Sequence, residues 1–229
     1  MPIHDLKRIV FVPVIHTDTE SIERARQTVR DVKPDVVAVE LDKERYNQLM
    51  NQDLEEHDMP TEMFGDPTQN MMNQIALLLR SFGQQTGAGV GQEMLAAIEE
   101  GRSIGSKIAL VDRPIQETIY AVSQVPLDEI YKITYSVPDA NEDLQNMGAQ
   151  GFLSMLKDKE TVDELLIEFR KELPKLAEAL IDQRDEYVAT ALHTILNDVE
   201  GKIVAVLGAG HIEGVKRALR KKLSSDAAA

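Results

Sequence analysis

Ile203-Val204-Ala205-Val206-Leu207-Gly208-Ala209-Gly210-His211 is the stretch on which the reading of this chain turns. Its apolar half reads as a short strand buried on both faces, as strands between two helical layers must be. Small residues then turn the chain, and a histidine arrives where the strand ends. The same pattern recurs elsewhere: Arg8 to Ile15 leads into His16, Val36 to Val39 into Glu40, and Lys107 to Val111 into Asp112. Side chains at the carboxyl ends of parallel strands meet in the crevice where open α/β sheets bind ligands. Polar residues also end strands for no functional reason, and for any one of the four that bland reading competes evenly. Their recurrence argues for convergence.

The segments between the strands read as helices. Ser21 is expected to cap a helix with apolar positions Ile22, Ala25, Val29 and Val32, which Pro34 stops before the strand at Val36. This is a βαβ unit, whose crossover sets its two strands parallel. A helical stretch carrying Met71, Ile75, Leu78 and Leu79 follows, then a glycine-rich loop from Gly83 to Gly91 and a helix from Gln92 with Leu95 and Ile98. From Pro126 to Asn197 the pattern is helical again, with breaks at Val137-Pro138, Gly148 to Gly151 and Pro174. The fold class is therefore α/β: a mostly parallel central sheet flanked by helices, with helical insertions. Residues 1–222 form a single domain, and 223–229, ending in Ala227-Ala228-Ala229, read as a disordered tail or cloning scar.

Composition removes several functions. The 229 residues carry 25 Lys and Arg against 39 Asp and Glu, a net charge of -14 that opposes a nucleic-acid surface. The basic run Lys216 to Lys222 reads as the end of a C-terminal helix whose dipole it favours. The absence of cysteine excludes disulfides, thiolate metal sites and cysteine nucleophiles. There is no G-x-S-x-G elbow and no Walker A lysine. The glycine turn at 208–214 imitates a pyrophosphate cradle, but too little chain follows it for the further strand a dinucleotide fold requires. No apolar run approaches the length of a membrane span. The chain is expected to be soluble as given, cytoplasmic or held at a membrane through a C-terminal region beyond it.

Two imidazoles and a carboxylate make a three-ligand set with positions left for water, which suits zinc, manganese or iron. His16 and His211 lie far apart in sequence, so local spacing gives this no support by itself. His4, His57 and His193 read as surface or core fillers. Arg184 falls on the apolar stripe of a helix spanning Ile181 to Leu196, alongside Val188, Ala191, Leu192 and Ile195, and an inward arginine needs an anion. It either forms a structural salt bridge or reaches the crevice to bind a carboxylate or developing oxyanion. Arg45 and Arg113, just beyond strand ends, face the same two choices.

Several of these stretches, in consistent order across about residues 8–222, resemble the TraB/PrgY (pheromone-shutdown) family, related to the Tiki proteases. They are Pro34 to Asp42 with Arg45, Gly91-Gln92-Glu93-Met94, Leu110 to Ile115, Arg184-Asp185, and Gly208 to His211 with Gly214. The resemblance implies an erythromycin-esterase/ChaN-like α/β fold and a metal-dependent peptidase site built from two G-x-x-H motifs and a glutamate. By matching position, the metal ligands are His16, Glu40 and His211. Pro13 stands where the first motif has glycine, and proline cannot take glycine-like backbone conformations. Glu93 or Asp112 is the expected general base or ligand orienter, and Arg45, Arg113 and Arg184 the carboxylate or oxyanion binders. The expected cofactor is a divalent ion, manganese, cobalt or zinc, and the expected partner a peptide substrate or signal peptide. Homo-oligomers, and membrane helices in a longer natural chain, accord with the resemblance. The alternative is a module that captures a peptide without cleaving it.

Overall fold

Strict alternation in the central strands builds the core. A computed structural model of the chain describes residues 6–15, 19–51, 91–132 and 158–227. Within them lie β1 (Ile9–Val14), α1 (Thr19–Val32), β2 (Val36–Val39), α2 (Lys43–Met50), α3 (Gln92–Ser103), β3 (Lys107–Leu110) and α4 (Ile115–Ser123). Next come α5 (Lys159–Glu172), the short α6 (Pro174–Ala177), a π-helical turn (Glu178–Asp182), α7 (Gln183–Asp198), β4 (Ile203–Gly208) and α8 (Ile212–Ala227). The strands form one parallel sheet in the order β1-β4-β2-β3. The chain is thus an α/β protein with a parallel central sheet between helices.

β1 and β2 are parallel, as the βαβ pattern requires, yet they are not neighbours: β4, the last strand in sequence, inserts between them. Burial follows that order. Every residue of β2 and β4 is buried, whereas β1 and β3, at the edges of the described sheet, are only partly covered, contrary to the expectation of burial on both faces for all four. Val36, Ala38, Ile203, Ala205 and Leu207 face α7 and α8, packing on Val188, Leu192, Leu196, Val215 and Leu219. Val37, Val39, Val204 and Val206 face α1 and α3, packing on Ala25, Val29, Met94 and Ile98. Leu192, Leu196 and Leu219 are fully buried; truncating one to alanine is worth about 2–5 kcal/mol.

Three local expectations shift. Helix α1 begins at Thr19, so Ser21 lies inside it, and its hydroxyl accepts from the Ile15 N–H at 3.2 Å instead of capping the helix. Helix α8 runs to Ala227, through residues read as a tail, so Lys216 to Lys222 occupies its body and not its last turn. There Lys216 pairs with Glu213 at 3.2 Å, and Lys222 with Glu186 at 2.5 Å. Helix α7 begins at Gln183. Pro174, expected as a break, opens α6 at its first position, where a missing N–H costs nothing. The methionine-bearing segment at 71–79, most of the loop from Gly83 to Gly91, and the breaks at 137–138 and 148–151 lie outside the described residues. Among those described, no helix is long and apolar enough to cross a membrane.

Candidate functional site

Strand alternation aims Glu40. It continues the parity of Val36 and Ala38, so its side chain enters the α7/α8 layer at the carboxyl edge of the sheet. The β2–β4 pairing extends one step further through Glu40 N to Val206 O at 3.1 Å. That step sets the Glu40 carboxylate beside the end of β4, where Oε2 accepts from the Gly208 N–H at 2.7 Å. Oε1 is left for Arg184, whose Nη2 donates at 2.7 Å, and for His211, whose Nε2 lies 3.5 Å away.

His211 closes the single 3-10 turn (Ala209–His211) between β4 and α8. Its Nδ1 is 2.7 Å from Asp185 Oδ1, a contact that turns the ring so that Nε2 faces Glu40 Oε1 and Arg184 Nη1, the latter at 3.2 Å. Burial alone would push the His211 pKa down, but Glu40 and Asp185 outweigh it and the net displacement is upward. Burial pushes the Asp185 carboxyl up, with His211 opposing. Asp185 Oδ2 is buried and has no hydrogen-bond partner among the described residues. It fills the space over Gly214: a Cβ built there would stand 1.7 Å from Oδ2, so only glycine lets the α8 backbone approach the carboxylate.

Arg184 carries the cluster toward β3. Nε and Nη2 donate to Asp112 Oδ1 and Oδ2 at 3.2 and 2.6 Å, a bidentate clasp. Asp112 also accepts from Arg45 Nη2 and from the Arg113 N–H at 2.7 Å. Burial would raise the Asp112 pKa, but the guanidinium groups of Arg184 and Arg45 more than reverse it and hold it below the usual carboxylate range. Arg45 is positioned in turn by Asp42, which caps α2 through the Glu44 and Arg45 N–H groups and takes Arg45 Nε on its other oxygen. Glu40, Asp42, Asp112 and Asp185 are all nearly inaccessible to solvent. In this contact chain four carboxylates stand against the two guanidiniums of Arg45 and Arg184, so with His211 neutral it carries an excess of negative charge.

Neighbouring Arg184 and Asp185 ought to point about 100° apart on a helix, yet both serve this site, from the start of α7 just after the π turn. The Gln183 N–H bonds to Glu178 O, the wide i to i+5 spacing of such turns. Arg113 braces the turn. Its guanidinium donates to Ala179 O, Gln183 Oε1 and Thr118 Oγ1, which points it into the protein and not at the cluster. The structure therefore separates the three arginines: Arg184 and Arg45 join the carboxylates, while Arg113 bonds to Thr118 and the π turn. Glu93 is buried in the first turn of α3, in the opposite helical layer. Gly91, which precedes that helix at φ 94°, takes a left-handed conformation suited to glycine, and its Cβ position falls against Leu49.

His16 lies outside the described residues, as do His4 and His57. His193 sits on α7 with Nε2 2.7 Å from Asp226, away from the cluster. Asp42 and Asp185 stand in the quoted motifs without an assigned role. For Asp185 the only signal was its adjacency to Arg184; its contact with His211 crosses the helical layer and leaves no trace in spacing.

A family model described as TraB/PrgY/gumN matches residues 4–223. The chain belongs to this family. Its relatives include uncharacterized protein MJ1365 of Methanocaldococcus jannaschii, 28% identical over 219 residues, which cover 93% of this chain and 53% of that protein. TraB domain-containing proteins of Bos taurus and Homo sapiens are each 23% identical over 245 residues, covering 93% of this chain and 63% of theirs. The chain thus spans between about half and under two thirds of the curated relatives it matches.

Two donors of the expected set, Glu40 Oε1 and His211 Nε2, are of the kind and spacing that one divalent ion takes, and Arg184 Nη2 and Nη1 already contact both. Nitrogen and oxygen ligands suit manganese, cobalt or zinc, and the 3.5 Å between Glu40 Oε1 and His211 Nε2 is close to the roughly 3.4 Å that separates two tetrahedral ligands with bonds near 2.1 Å. Asp185 behind His211 is the carboxylate–histidine arrangement that fixes a ligand's tautomer. Among the described residues, no three such side chains gather around one point.

Proposed function

We propose that this family member is a metal-dependent hydrolase of the TraB/PrgY/Tiki type acting on a peptide or signal peptide, with Glu40 and His211 as metal ligands joined by His16. The observation that carries the reading is the Asp185–His211–Glu40 alignment inside a cluster with excess negative charge, which favours a cation. A divalent ion held there supplies Lewis acidity to hydrolysis. The protein's own groups do the rest. Asp185 keeps a proton on His211 Nδ1 and leaves Nε2 as a donor atom. The Gly208 N–H holds Glu40 Oε2 and leaves Oε1 facing His211. Arg184 stands over both donors, ready to stabilise negative charge that develops on a substrate carbonyl. Asp112, ionised and clasped by two arginines, orients Arg184 and Arg45 in this reading and is a poor base.

A second reading, peptide capture without cleavage, draws on a different observation: Arg184 already engages Glu40 Oε1 and contacts His211 Nε2, so a protein cation satisfies the two donors. Incubating the protein with a degenerate peptide library and manganese, cobalt or zinc separates the readings. New peptide termini that vanish with chelator and with Glu40→Gln support the hydrolase. Retention of peptides with no new termini under any of these ions supports capture.

A further inference from the structure

A cavity of about 340 Å³ lies beside the His211 turn on the same side of the sheet. Phe11, Pro13 and Ile15, every second residue of β1 and its end, supply one wall, and Ala209 and Ile212, which flank His211 in sequence, another. Across the carboxyl edge of the sheet the order is therefore cavity at β1, His211 at β4, Glu40 at β2 and Asp112 at β3. A chain laid along this edge with a bond at His211 places a neighbouring side chain in the cavity.

The charges of the lining select that side chain. Lys216 is engaged by Glu213 at 3.2 Å and lies over the Phe11 ring at 5.3 Å; Arg24 donates to Ser21 Oγ at 3.0 Å. Glu20 also has its own interaction. Asp163, half-buried on α5 and facing the cavity with Val162, has no hydrogen bond or ion pair among the described residues. Apolar walls with one uncommitted carboxylate match a side chain with an apolar stem and a cationic tip.

We infer that this cavity receives a lysine or arginine side chain of a peptide ligand, its stem against Phe11, Ile15 and Ile212 and its charge on Asp163. The inference rests on the peptide reading of the His211 site. Three short acetylated and amidated peptides, alike except for a central lysine, norleucine or glutamate, serve as probes, and methyl chemical shifts of Ile15, Val162 and Ile212 report binding. The lysine peptide should bind tighter than the norleucine peptide by up to about fivefold, the upper end for a solvent-accessible ion pair, and the glutamate peptide weakest. Asp163→Asn should erase the lysine advantage, and Asp163→Lys should reverse the order of lysine and glutamate. Ala209→Leu, which fills the cavity, should weaken all three. Equal binding of the three peptides, or shifts confined to other methyls, would overturn the inference. Mass spectrometry of the same peptides with manganese keeps the two readings apart. Binding at these methyls without cleavage leaves the cavity assignment standing and removes the hydrolase; cleavage indifferent to the central residue does the opposite.

Discussion

The two ends of the sheet use charge in opposite ways. At the amino end, Arg8 spends its guanidinium on the carbonyls of Leu196, Val199 and Gly201, and Asp35 accepts from the Gly201 N–H at 2.9 Å. These charges tie down main chain where α7 ends and β4 begins. At the carboxyl end, charged side chains bond chiefly to one another: Arg184 to Glu40 and Asp112, Arg45 to Asp42 and Asp112, His211 to Asp185. Main-chain bonding serves the fold. A buried side-chain network with more carboxylates than cations is costly to keep, and the proposed metal-binding role supplies a reason to keep it.

The largest effect should come from Arg184→Ala. Removing one partner of a buried ion pair costs about 3–5 kcal/mol because it strands the other charges, and here both Glu40 and Asp112 lose their clasp. Arg8→Ala, which leaves three carbonyls, that of buried Leu196 among them, without their donor, should cost less, about 1–3 kcal/mol. Denaturant unfolding of both variants checks this, and equal losses would erase the contrast between the two ends. The inward arginine thus finds carboxylates, as the buried-pair reading holds, and those carboxylates are the ones at the site.

Gly214→Ala should rank next. With a Cβ 1.7 Å from Asp185 Oδ2, the carboxylate must move, at about 1–3 kcal/mol for an overpacked position. Loss of a ligand-orienting partner typically weakens metal affinity about 10–100-fold, so this variant should bind metal more weakly by that order while staying folded. Unchanged affinity would show that Asp185 does not orient His211.

The pH dependence of metal-free stability should show two arms of opposite sign. Asp112, held below its ordinary value near 3.9, contributes stability that is present above that value and is lost as pH falls through the lower folded-state value. His211, displaced upward from about 6.5, contributes stability that is full below 6.5 and is lost as pH rises through its higher folded-state value. Arg184→Lys should flatten the acid arm and His211→Ala the alkaline one, read as midpoint against pH. An alkaline arm that survives His211→Ala would assign it to another group.

Much of this site was legible in the sequence because it sits at strand ends. Apolar runs of four to six residues marked the strands, and the residue after each run named Glu40, Asp112 and the turn to His211. What escaped depends on packing between elements distant in sequence. No local pattern says that β4 inserts between β1 and β2. The π turn that precedes Arg184 and Asp185 carries no propensity signal, and it captures Arg113, whose place just past a strand end matched that of a site residue. Gly214 stands in the recognised motif, yet its reason, the approach of Asp185, appears only when α7 and α8 are packed together.

Calorimetric titration of metal-free protein with manganese, cobalt and zinc, run for wild type, Glu40→Gln and His211→Ala, tests the central claim most directly. The account predicts binding by wild type that weakens as protons compete for His211, with a midpoint above the ordinary histidine value near 6.5. It further predicts a loss of affinity of at least about tenfold in either variant. Wild-type protein that binds none of these ions, or variants that bind them as tightly as wild type, would contradict it.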